Sequence, residues 1–393
     1  MRTGVFFLLL AYVLSQFYRA FLAVLAPVLE GSIGVTPADL ARSSGLWFLA
    51  FAAMQVPVGW ALDRIGPRRL AAGLLGVAGG SGALIFALAQ GPGAIDLAMV
   101  LIGIGCSPVL MASYYIFARV YPAAVFGTLA GAMIGTGTLG NLAASLPLAF
   151  AVEVFGWRGA LMVLAAVTVV VALALWRFVA DPPPAPASEA RGSLLDLLRL
   201  PALWLILPMA MVNYAPSAGI RGLWAGPYLA DVFGLDTGAI GGVTLLMGVA
   251  MVVGNFAYGP LDRLFKSRKW VVLGGNLAGA ACLFALWALP GGGVWQAAAL
   301  LALVGLFGAS YPLIMAHGRS FVPAHLVGRG VTLLNLFSIG GAAVFQMITA
   351  RLHGAVSATN AEPVAPYGAL FLFSALVVLA GSAIYLFSED RTD

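Results

Sequence analysis

Apolar runs alternate along the whole chain with short clusters of Gly, Pro, Arg and Asp. A run of about 20 apolar residues crosses the roughly 30 Å hydrocarbon core of a bilayer as a helix. Read together with the loop signals, the pattern predicts six spans near 4–27, 42–62, 69–90, 95–118, 126–152 and 157–179. A second set of six is predicted near 202–229, 239–260, 270–289, 294–317, 329–350 and 366–388. The first run is too long for a signal peptide and lacks a small-residue cleavage site, so it is predicted as a span. Between the sets lies ADPPPAPASEARGSLLDLLRL, rich in Pro and mixed charge. It divides the chain into an N-terminal six-helix bundle over 1–179, a linker over 180–200 and a C-terminal six-helix bundle over 201–393.

Composition leaves no soluble alternative. The 393 residues are 62% hydrophobic and 9% charged, with a mean hydropathy of +1.00, whereas an ordinary soluble protein carries about 25% charged residues. The expected class is all-α and integral to the membrane, with the lipid bilayer as its solvent. The 49 glycines fit close helix–helix approach in lipid. Cys106 and Cys282 both fall in apolar runs, so no disulfide framework is expected.

The net charge of +5 is explained by topology and does not point to nucleic acid. With a cytoplasmic N-terminus, fifteen of the twenty Lys and Arg fall in cytoplasmic segments. Arg42, Arg158 and Arg351 then lie outside, and Arg19 and Arg221 lie within spans. The positive-inside rule therefore predicts a multi-pass inner-membrane protein with both termini in the cytoplasm.

The halves repeat. Pro27-Val-Leu29 leads to Asp63-Arg64 as Pro227-Tyr-Leu229 leads to Asp262-Arg263. Arg119-Val-Tyr-Pro122 with Gly127 is answered by Arg319-Ser-Phe-Val-Pro323 with Gly330, and Gly159-Ala-Leu161 by Gly368-Ala-Leu370. Ordered matches of this kind indicate a duplicated six-span unit, a plan typical of transporters with a midplane site between the halves.

The connector Gly59-Trp-Ala-Leu-Asp63-Arg64-Ile-Gly66-Pro-Arg68-Arg69 resembles the signature of the major facilitator superfamily between its second and third spans, at every defining position. Gly-Pro-Leu-Asp262-Arg263-Leu-Phe-Lys266-Ser-Arg268-Lys269 resembles its degenerate second copy. The resemblance extends over the chain through the span count and the central linker. It implies two pseudo-symmetric bundles, alternating access, and a gate role for Gly59, Asp63, Arg64, Gly66, Arg68, Arg69, Asp262 and Arg263. Arg68 and Arg69 are also explained as topology anchors.

Cargo is read from polar residues inside spans, because their burial in hydrocarbon is costly. Tyr12, Gln16 and Arg19 fall at i, i+4 and i+7 in the first span; Asn213, Ser217 and Arg221 fall at i, i+4 and i+8 in the seventh. Both stripes are expected to face a shared central cavity. Arginine keeps its charge and its planar fork suits carboxylate or phosphate. All fifteen Asp and Glu lie in loops or at span ends, so the expected substrate is a small organic anion. Gln55, Tyr115, Tyr311 and Asn335 are further candidate contacts, each also readable as a helix–helix hydrogen bond.

The stretch from Tyr18-Arg19 to Pro27 is similar to the first span of the organophosphate and anion:cation symporter branches, where an Arg eight residues before a Pro binds the anion. Arg221 stands only six residues before Pro227. That departure favours a carboxylate held mainly by Arg19 over a phosphate clamp.

For coupling, His317 is read as the only histidine within a span and as the candidate proton carrier. A co-transported proton or cation is the expected small partner, and the protein is expected to be a monomer without cofactor. Export of hydrophobic, drug-like compounds is the alternative; the resemblance weakens it, since GTGTLGNLAAS of the fifth span lacks the Gly-Pro pattern of the superfamily's antiporter branch. Cu(I) import through Met209, Met211, Met247 and Met251 is a lesser one, since methionine pairs in apolar helices mostly pack. His317, His325 and His353 form no sequence cluster that would support an enzyme, and no metal site is expected.

Overall fold

The computed structural model describes residues 2–121, 123–182, 197–323, 327–360 and 362–391. Every regular element among them is helical. Among the described residues ten helices are long and apolar enough to cross a membrane, and the bent pair Thr3–Phe17 with Leu22–Ile33, taken as one span, brings the number to eleven. The predicted fifth span falls on helix Ala123–Ala143 and on the start of Leu146–Phe178. That longer helix turns at Gly156 (φ 68°) and continues as the predicted sixth span. Helix contacts divide the chain into two compact units, Met1–Glu189 and Ala190–Asp393. Residues 183–196 of the linker lie outside the described residues.

The first span bends by 51° between its halves. At the bend the backbone tightens to i→i−3 bonds, Arg19 N to Gln16 O at 3.3 Å and Ala20 N to Phe17 O at 3.0 Å. The seventh span, Pro201–Phe233, is deformed differently. Pro216 removes one backbone donor, and a π-turn over Ile220–Trp224 follows. Both spans stop in the same way, at Gly34 (φ 66°) and Gly234 (φ 65°), whose N–H groups return to the Glu30 and Ala230 carbonyls.

The duplication is also legible in packing. A Cβ at Gly140 would collide with the Val13 carbonyl, and one at Gly341 with the Met211 carbonyl. Small residues thus let the fifth span close on the first and the eleventh on the seventh. The second unit is filled by Leu203, Ile206, Leu207, Val272, Ile314 and Leu334.

The tenth span, Val294–Arg319, lies where it was predicted and carries an internal break between Val294–Phe307 and Tyr311–Arg319, where the Tyr258 hydroxyl donates to the freed Phe307 carbonyl at 2.8 Å. One span departs from prediction. The eleventh, predicted to end at 350, runs on to Thr359. Arg351 turns outward, so its charge does not end the helix, and His353 turns inward and is buried. His317 is therefore not the only histidine within a span.

Candidate functional site

In the first unit, Arg19 sits at the bend. Its Cζ lies 5.3 Å from the Trp47 ring centroid and 4.9 Å from that of Phe51, and the two rings stack at 5.1 Å. Helix Pro37–Ala53 supplies both at i and i+4, so one face presents a two-ring platform to the cation. Arg19 Nε is buried and has no hydrogen-bond partner among the described residues. None of the ion pairs found among the described residues includes Arg19.

One turn and two turns earlier, Gln16 Nε2 donates to the Tyr12 hydroxyl at 2.6 Å. The two are pressed on by Gly137, where a Cβ would strike the Tyr12 ring. The predicted stripe is thus a linked Tyr12–Gln16 pair beside an arginine held separately. Gln55 turns back to donate to the Phe51 carbonyl, one turn earlier in the same span, at 3.1 Å. Tyr115 lies under the Arg119 guanidinium, 3.6 Å from Cζ to centroid.

In the second unit, the three stripe residues part company. Asn213 donates to Asn276 Oδ1 at 3.0 Å and to Ser310 Oγ at 2.6 Å. Ser217 donates to the Tyr214 carbonyl at 3.2 Å and packs on Gly308. A small pocket is lined by Asn213, Ser217, Asn276 and Gly308. Arg221, at the start of the π-turn, is not among that pocket's lining residues; its side chain faces Gly248, where a Cβ would stand 2.8 Å from Nη2.

Arg221 is 4% exposed, within electrostatic reach of Tyr214. Tyr214 packs at 6.3 Å on Tyr311, which donates to Asn335 Oδ1 at 2.8 Å. Tyr214, Tyr311 and Asn335 therefore form a second polar group, with Arg221 in electrostatic reach of it. Trp47, Phe51 and Tyr214 were not singled out from sequence. Their only signal is spacing, Trp47 to Phe51 at i+4 and Tyr214 to Arg221 at i+7.

The connector of the first unit is built on Gly66 (φ 90°), followed by Pro67 at the first helical position. Arg64 lies over Trp60 at 4.6 Å and Arg68 over Trp176 at 5.7 Å, while Arg69 is exposed. Gly59 packs on Met111. The side chains of Asp63, Asp262 and Arg263 lie outside what the structure describes.

A carboxylate not expected from the sequence closes this connector. Asp181 accepts from the Arg68 backbone N–H at 2.8 Å and pairs with Arg68 Nε at 3.4 Å. In the second unit Asp390 accepts from Ser267 Oγ at 2.5 Å and from the Lys269 and Arg268 N–H groups at 3.0 and 3.2 Å. Burial alone would raise the Asp390 carboxyl, but these donors outweigh it and hold it below the ordinary carboxylate range. The signal was present in the sequence. Phe178-Val-Ala-Asp181 and Phe387-Ser-Glu-Asp390 each end 22 residues after the repeated Gly159 and Gly368.

His317 is held at both ring nitrogens. Nε2 faces the Glu389 carbonyl at 2.9 Å and must donate to it, so Nδ1 accepts from the Tyr385 hydroxyl at 2.5 Å. Among the described residues no group of three His, Cys, Asp or Glu could hold a metal ion. Met247 and Met251 pack together against Gly305.

A family model for the Major Facilitator Superfamily matches residues 8–344. The chain belongs to that superfamily and is a multi-pass membrane transporter. No curated protein matches the sequence. Solved structures share the fold at low identity. A bacterial homolog to the human lysosomal transporter Spinster, in an inward-facing and occupied conformation, superposes with a TM-score of 0.77 at 18% identity, covering 98% of this chain and 96% of that one. A D-xylose-proton symporter gives 0.74 at 15% identity, with 96% of each chain covered. A mutant of the nucleoside transporter NupG gives 0.77 at 12% identity, covering 98% and 99%.

Proposed function

We propose that this transporter carries a small organic anion, a carboxylate, across the inner membrane by alternating access, as a monomer with both termini in the cytoplasm. Arg19 is the main anchor for the anion, and Arg221 assists. Tyr12 and Gln16, with Tyr311 and Asn335, supply the neutral hydrogen-bonding groups that fix orientation. Asn213 is better supported as a helix-to-helix contact, Ser217 and Gln55 as side-chain-to-backbone contacts, and Tyr115 as the ring beneath Arg119 of its own helix. The connectors carrying Asp63 and Asp262 set the access state and do not select cargo.

The observation that carries this reading is the state of Arg19. A permanent cation is held on two ring faces, with a buried Nε lacking a hydrogen-bond partner and no ion pair among the described residues. Ring faces attract a guanidinium but satisfy none of its N–H donors, so a carboxylate gains charge-assisted hydrogen bonds there. A thermal-shift screen of purified protein against carboxylates, phosphate esters, drug-like cations and Cu(I) tests it. A carboxylate should raise the melting temperature of the wild type and not that of Arg19→Gln. Stabilisation of both proteins by a cation, a metal or a neutral compound, with no response to anions, would overturn it.

A further inference from the structure

His353 is a buried ring for which the transport reading gives no use. It is 8% exposed, on the inward face of the extension that the eleventh span makes beyond Arg351. Its imidazole lies over the Trp224 indole, centroids 4.8 Å apart and planes 30° from parallel. Its other neighbour is Tyr367, ring edge to ring face at 5.1 Å. Nε2 is buried with no hydrogen-bond partner among the described residues. A histidine retained for packing alone would be replaceable by an aromatic ring with no polar atom to bury.

The neighbours on every packed element bear on what that ring can do. Trp224 is fixed by its indole N–H, which donates to Thr349 Oγ1 at 3.1 Å. It belongs to the same π-turn as Arg221 and stands three residues after it. From helix Val364–Tyr385 comes Tyr367, whose hydroxyl donates to the Asp231 carboxylate. Tyr228 packs on Tyr367 at 5.5 Å. Tyr214 and Tyr311 belong to the second polar group, and Arg351 on the ring's own helix is exposed. His317 is already engaged at both nitrogens. A continuous line of contacts thus runs from Asp231 through Tyr367 and His353 to Trp224 and the π-turn.

We propose that His353 is a proton-binding site whose occupancy is transmitted through Trp224 to the π-turn that carries Arg221. A hydronium ion gives its proton to the Nε2 lone pair and leaves as water; the ring becomes an imidazolium, and the proton departs by the reverse step. The charge so formed lies against the electron-rich face of Trp224, with the Asp231 carboxylate one phenol away. Because binding free energies are reciprocal, whatever alters Arg221 alters proton binding at His353. The proposal rests on the transporter reading but not on the identity of the cargo.

The test needs no substrate. Tryptophan fluorescence of the full chain in lipid nanodiscs is titrated from pH 9 down to pH 3, because burial of an uncompensated imidazole displaces its protonation to the acid side, for the wild type, His353→Gln, His317→Gln, Trp224→Phe and Arg221→Gln. The wild type should show a one-proton transition that His353→Gln and Trp224→Phe both lose and His317→Gln keeps. Arg221→Gln should displace its midpoint. A transition unchanged in His353→Gln, or the absence of any transition in the wild type, overturns the proton site. An unmoved midpoint in Arg221→Gln overturns its link to the π-turn. If His353→Gln fails to fold, His353→Phe decides, since it keeps a ring against Trp224 and removes the titratable nitrogen. Failure here leaves the anion reading standing, because that is judged by ligand-induced stabilisation through Arg19.

Discussion

At the scale of single residues, Lys266 shows what the second connector has given up. It follows the end of helix Thr237–Phe265 as Gly66 follows that of Gln55–Ile65, and it holds φ at 49°, the one non-glycine residue with positive φ among those described. A side chain in the left-handed region costs about 1–2 kcal/mol, against which a glycine's extra unfolded-chain entropy takes back about 0.4–1 kcal/mol, so Lys266→Gly should raise the unfolding free energy by roughly 0.5–1 kcal/mol. Denaturation in detergent measures it; an unchanged or lower stability would mean that the lysine side chain makes a compensating contact. Arg19 was legible from sequence because a charge inside an apolar run is conspicuous. Trp47, Phe51 and Tyr214 were not, because an aromatic residue in such a run looks like any other packing residue until its facing neighbour is known.

Helices carry the next level, and their irregularities decide where side chains point. Counting i, i+4, i+8 placed Arg221 beside Asn213 and Ser217. The arginine faces Gly248 from the start of the π-turn, because i+8 lies well round the helix from i. Hydropathy ended the eleventh span at 350 because Arg351 followed, yet a charge on the outward face does not stop a helix. The caps on the two connectors could have been found, since the Phe-x-x-Asp spacing repeats.

Asp390 gives this level a pH test. Its carboxyl is held below its ordinary value of 3.8 by Ser267 and two backbone N–H groups, against the opposing effect of burial. Its contribution to stability is therefore fully present above that value, and is lost as pH falls through it toward the lowered folded value. Melting temperatures of wild type and Asp390→Asn should differ at neutral pH and converge on acidification. Curves that stay parallel would remove Asp390 from the cap.

Over the whole molecule, the duplication and the superfamily were legible because twelve apolar runs and a connector motif are properties of the chain itself. Each unit repeats the other's glycine contacts, its helix stop and its carboxylate cap, while Arg19 and Arg221 sit in differently deformed spans. That asymmetry suits one principal anchor and one assistant better than a paired clamp. The most direct measurement is uptake, into proteoliposomes, of the carboxylate selected by thermal shift, for wild type, Arg19→Lys and Arg19→Gln. Losing a charge-assisted bidentate partner costs about 1.5–3 kcal/mol, roughly 10- to 100-fold in affinity. The account predicts a loss of that order for Arg19→Gln, with partial rescue by Arg19→Lys. Wild-type uptake in Arg19→Gln would contradict it.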